Sequence, residues 1–150
     1  MTPTLPKLLL AAALLSSCGG ASTPQALAEL TVDLLNKNDF AGYSKETVAT
    51  PQEIIDICPS VTSFQVDSKD IASGFNDCLK RGRFGKAKVV SVNAKLGSRS
   101  AATCGAKDPV EFADSIEVTV DTGSGAYTFK INDAVRTKNG WKVTNDLKCP

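Results

Sequence analysis

The spacing of apolar residues divides the chain into three stretches with different periods. An unbroken apolar run, Leu8 to Leu15, comes first. It is far shorter than the ~20 residues a helix needs to cross a bilayer, and reads instead as the hydrophobic centre of an export signal. From Thr23 the period becomes helical. Thr23-Pro24 predicts an N-cap with proline at the first helical position. Leu27, Leu30, Leu34 and Leu35 then form one apolar stripe, which Lys37-Asn38-Asp39 ends. Phe40–Ser44 predicts a further short turn. Thr50-Pro51-Gln52-Glu53 has the form of a capping box and opens a helix that carries Ile54, Ile55 and Ile57 inward and stops near Cys58-Pro59. Ser68-Lys69-Asp70-Ile71 opens a third helix with Ile71, Phe75, Cys78 and Leu79 on one face, ended by Gly82 or Gly85.

After Gly85 the period falls to two, the signature of strands with one buried face. Val90, Val92, Ala94 and Leu96 alternate with Ser91, Asn93 and Lys95. Gly97–Asp108 reads as a polar loop holding Cys104. Ile116, Val118 and Val120 alternate with Glu117, Thr119 and Asp121, and Asp121–Gly125 forms a turn. Tyr127, Phe129 and Ile131 are the inward set of the next strand. Asp133-Ala134-Val135 breaks that parity, which predicts a bulge or bend. Lys138-Asn139-Gly140 predicts a tight hairpin turn, and Trp141 and Val143 open the last strand. The order gives an α+β domain: N-terminal helices packed on an antiparallel meander of about four strands.

Composition narrows the function classes. Residues 1–17 contain one charged side chain, Lys7, so the remainder carries 16 basic and 16 acidic residues. A balance near zero argues against nucleic acid, whose binding rests on neutralising phosphates. The chain has no histidine, which excludes nucleophile–histidine triads. Of its five cysteines, Cys58, Cys78, Cys104 and Cys149 follow the apolar run at some distance, and an even number in an exported chain implies two disulfides with three possible pairings. The helical layout favours Cys58–Cys78, joining neighbouring helices, and Cys104–Cys149, tying the tail to a loop. Their wide intervals do not suit a metal centre, and no cofactor is expected.

Leu15-Ser16-Ser17-Cys18, placed directly after the apolar run, resembles the lipobox of bacterial lipoproteins. The resemblance implies a diacylglycerol on the Cys18 sulfur, cleavage before it, and a mature protein tethered outside the cytoplasmic membrane. Ordinary signal cleavage after Ala11 or Ala13 is the alternative. The division expected is a signal peptide at 1–17, a lipidated cysteine and short flexible linker at 18–23, and one domain at 24–150. Helices followed by a meander that closes on Asn139-Gly140-Trp141-Lys142-Val143 are similar to the cystatin-like, NTF2-like cone. That likeness implies a curved sheet with a long N-terminal helix in its concavity. Fold alone leaves function open.

Three groups of residues remain as candidates. Lys80, Arg81, Arg83, Lys86 and Lys88 form the densest charge cluster; its functional reading is contact with anionic lipid headgroups, and its plainer one is a helix end and a wet strand face. Tyr127, Phe129 and Trp141 either line a pocket or fill the core. Asp114, Glu117 and Asp121 are the carboxylates available as a base, with the solvated strand face as the plainer reading, and no catalytic residue is assigned. The sequence therefore points to a non-catalytic binding or interaction domain, with membrane lipid through Cys18 and an envelope protein or small apolar ligand as partners. An NTF2-like enzyme or carrier and a structural envelope component are the alternatives.

Overall fold

A computed structural model describes residues 20–150. The apolar run and Cys18 lie outside the described residues. Five helices and five strands follow one another as α1 (Pro24–Asn36), α2 (Phe40–Thr47), α3 (Pro51–Ile57), α4 (Ser68–Arg81), β1 (Lys88–Arg99), α5 (Ala101–Cys104), β2 (Val110–Asp121), β3 (Ala126–Thr137), β4 (Gly140–Val143) and β5 (Leu147–Lys148). The sheet runs β1-β2-β3-β4 with every pairing antiparallel, and β5 continues along the β3 edge beyond β4. The fold is thus the α+β arrangement expected, with an antiparallel meander under N-terminal helices.

Local chemistry sets the helix ends. The Thr23 hydroxyl accepts the Ala26 N–H at 3.0 Å at the start of α1. Thr50 and Glu53 form the reciprocal capping box of α3, which satisfies two amides that a helix leaves unpaired at its first turn. One face of the sheet packs on α1 and α4 to make the main core. Leu27, Leu35, Phe75, Ile116, Val118, Val120, Phe129, Ile131 and Val143 are all sealed from solvent there. Close approach matters at one helix–sheet contact. A Cβ on Gly74 of α4 would meet the Leu147 backbone of β5 at 2.8 Å, so only glycine lets the two lie so near.

The cysteine pairing differs from the expected one. Cys58 bonds Cys104, and Cys78 bonds Cys149. The meander carries the C-terminal tail back across the sheet to α4, beside the Gly74 contact, so Cys78 finds the tail before it finds Cys58. The expected polar loop at 97–108 is also corrected: β1 runs on to Arg99, and the four-residue α5 delivers Cys104 to the end of α3.

The inward set of β1 is corrected too. Val89, Val92 and Ala94 pack against the main core, whereas Val90 and Leu96 are 65 % and 63 % exposed. A register shift explains Val90, the one extra residue of β1. Leu96 keeps the parity of Val92 and Ala94 and pairs with Ala113, but is left uncovered toward the end of this edge strand, where β2 carries its own extra residue, Asp114. Each inserted residue advances one strand against its neighbour. The expected bend in β3 is present, with Asp133 at φ 47°.

Candidate functional site

Adjacent residues of β2 and β3 serve two different cores. Ala113 pairs with Ala134 and both belong to the main core, while their neighbours Phe112 and Val135 pair on the opposite face of the sheet. There they meet Ile54, Cys58, Cys104 and Val110 in a second, smaller cluster built under α3 and α5. The cluster is open on one side. A cleft of about 530 Å³ lies along it, with Ile57, Val61 and Phe64 on one wall and Phe112 and Val135 on the floor. The Phe112 ring covers Gly97, where an added Cβ would come within 2.6 Å of the ring. Arg99 lies over the same ring at 5.8 Å from its centroid.

Polar groups mark the cleft's rim. Asp114 pairs with Lys95 at 3.8 Å. The Asp133 carboxylate accepts from the Asn145 amide at 3.0 Å, and its carbonyl accepts both the N–H and the hydroxyl of Thr144. Of the other candidate carboxylates, Glu117 pairs with Lys130 and Asp121 accepts the Gly123 N–H in its turn. The three carboxylates are therefore spread along β2 rather than brought together. The cleft combines an apolar floor with a charged rim, an arrangement that would suit an apolar group carrying a polar end.

Phe129 and Trp141 sit in the main core, and Tyr127 is half-buried against Phe84. The Tyr127 phenol donates to the Pro150 carbonyl at 2.9 Å. Burial raises its pKa, and the Arg81 charge works against that rise. The basic cluster lies at the β2–β3 turn end of the sheet. Arg81 and Arg83 border a notch of about 190 Å³ with Thr122, Ser124 and Tyr127. Arg81 donates to the Cys149 carbonyl at 3.4 Å. Lys88 stands opposite Asp121 in the β1–β2 register. Among the described residues, none of Lys80, Arg81, Arg83, Lys86 and Lys88 makes an ion pair.

The opposite end of the sheet holds a junction that the sequence reading placed in a flexible linker. Ala21 bridges Trp141, accepting its N–H at 2.7 Å. Gly20 lies against Asn139 and Lys142. Asn139 donates to Glu53 at 2.9 Å, and the Lys142 ammonium donates to the Glu46 carbonyl at 2.7 Å. Burial pushes the Glu53 carboxyl upward, but the Thr50 N–H, the Asn139 amide and the Lys142 charge together hold it below its ordinary range. Lys142 is itself buried: its stem lies against Gly20 and its ammonium ends on the Glu46 carbonyl of α2, so the apolar part is covered while the charge meets a polar group.

The cleft and this junction were not evident from sequence. The cleft collects residues from α3, the segment after it, β1, β2, β3 and the turn after β4, none of which carries a motif. Compared with known protein families, with characterised proteins and with solved structures, the chain finds no match in any of the three.

Proposed function

We propose that this chain is an exported, lipid-anchored envelope protein whose single domain is a non-catalytic binding or interaction module. One observation carries the reading: all four cysteines after Cys18 are disulfide-bonded, in a fold that begins two residues after the lipobox cysteine. Disulfides persist in oxidising compartments and are rare in the cytosol, which agrees with the export signal. The cleft supplies the binding surface. Its apolar floor of Phe112 and Val135 and its volume of about 530 Å³ fall in the range of small-ligand sites. The same cleft favours a second reading, a carrier of a small apolar ligand. The chemistry favours binding over catalysis, because the chain has no histidine and Asp114 at the cleft rim is ion-paired.

Expression with the native leader, followed by fractionation and intact mass measurement, tests the anchor. The wild type is expected in the membrane fraction with a diacylglycerol mass on an N-terminal Cys18, and Cys18→Ala in the soluble fraction. A wild-type protein processed elsewhere and free of lipid would overturn the reading. Native mass spectrometry of the Cys18→Ala protein separates the two binding readings. A co-purifying small mass favours the carrier, and an empty domain favours the interaction module.

A further inference from the structure

From the docked N-terminal segment we infer that the domain rests on the bilayer surface through its β3–β4 hairpin end, with the basic cluster pointing away from the lipid. The inference rests on the lipoprotein reading of Cys18. The segment after the lipobox is built into the fold. An added Cβ on Gly20 would lie 2.5 Å from the Asn139 carbonyl oxygen, and one on Gly140 would lie 2.6 Å from the Ala21 carbonyl oxygen. Gly140 also holds φ +99°. Two glycines therefore allow two backbones to meet where side chains would hold them apart, and the Trp141–Ala21 hydrogen bond closes the contact.

Only two residue steps separate Gly20 from Cys18, a reach of about 7 Å at full extension. An acylated Cys18 has its chains in the bilayer, so the docked Gly20 and the Lys138–Gly140 turn beside it lie at the headgroups. Charge at this end is mixed. Lys107 and Lys138 border a broad cleft there with Asp56 and Asp108. The tether, rather than anionic lipid, therefore sets the orientation. β3 runs from this end to Ala126 beside the basic cluster, about 35 Å at ~3.3 Å per residue. At that distance, several Debye lengths at physiological salt, the five basic side chains do not feel the headgroup charge.

Trp141, the chain's only tryptophan, is a native reporter at the membrane-facing end. The lipidated full-length protein is reconstituted into phosphatidylcholine vesicles containing a dansyl-headgroup lipid, and energy transfer from Trp141 is measured. Strong transfer is expected, unchanged when a third of the lipid is replaced by phosphatidylglycerol. Gly20→Val unseats Gly20 and Ala21 and lengthens the tether. Transfer should then fall at least two-fold, and hydrogen exchange at the Trp141 amide should rise at least ten-fold while the two disulfides remain. Protein that floats with the vesicles but shows weak transfer would overturn the orientation and leave the anchor intact, as would transfer that drops on adding phosphatidylglycerol. Protein that carries no lipid and does not float would overturn the lipoprotein reading and the orientation with it.

Discussion

Replacing Tyr43 with phenylalanine should stabilise the protein. Tyr43 is fully buried in the main core, with its ring 5.0 Å from that of Phe75, and among the described residues no group lies in hydrogen-bond geometry to its phenol oxygen. The Thr47 hydroxyl, one turn along the helix, donates to the Tyr43 backbone carbonyl at 2.6 Å. A buried hydroxyl left unpaired costs about 1–3 kcal/mol in lost hydration. Tyr43→Phe removes that cost and keeps the ring packing, for a gain of about 1 kcal/mol and a rise in Tm of about 4 °C. A tyrosine with a satisfied phenol would show the opposite sign. Alkaline pH sharpens the test. Burial raises the phenol well above its ordinary pKa of 10.0; the proximity of the Thr47 hydroxyl, which is committed to the backbone carbonyl, offsets only part of the rise, and the Asp146 charge adds to it. Above pH 10 the unfolded chain therefore loses this proton while the folded chain keeps it. Stability then falls with rising pH by about 1.4 kcal/mol per unit. The variant lacks that loss, so its advantage should grow from pH 7 to pH 11. Urea unfolding followed by Trp141 fluorescence measures both effects on a Cys18→Ala background. A destabilised variant at pH 7, or a difference that stays constant to pH 11, would refute the reasoning.

Non-reducing peptide mapping should recover the links Cys58–Cys104 and Cys78–Cys149; recovery of Cys58–Cys78 would invalidate the described packing of the tail on α4. Removing Cys78 and Cys149 together opens a loop with a sequence separation of 71 and should cost about 4 kcal/mol by chain entropy, read as a fall in the urea midpoint. Asn36 donates to the Ala87 carbonyl and accepts the N–H groups of Gly85 and Ala87. Asn36→Ala should therefore cost about 2 kcal/mol and speed hydrogen exchange at those two amides; unchanged exchange would show that another group fixes the start of β1.

What the sequence disclosed was local. Thr23 and the Thr50–Glu53 box act within one helical turn, so residue type and spacing were enough to locate α1 and α3. The inward sets of β2 and β3, Ile116 to Val120 and Tyr127 to Ile131, follow strict alternation and read directly. β1 has the same alternation and misleads, because the extra residue at Val90 is a property of strand pairing and the exposure of Leu96 a property of which helices reach that end of the sheet. Lys142 hides for a related reason: a lysine between two core residues implies a wet face, and only the distant Gly20 and the end of α2 meet it there. The cleft and the disulfide partners depend on which distant segments meet. No window of the chain holds that information.

The two disulfides also interlace. Their cysteines fall in the order 58, 78, 104, 149, with the first bonded to the third and the second to the fourth. A single peptide cleavage anywhere between Cys58 and Cys149 leaves both fragments covalently joined. The sequential alternative, 58 to 78 and 104 to 149, would release two separate pieces on a cut between Cys78 and Cys104. A molecule nicked in this region keeps its parts together and its fold within reach.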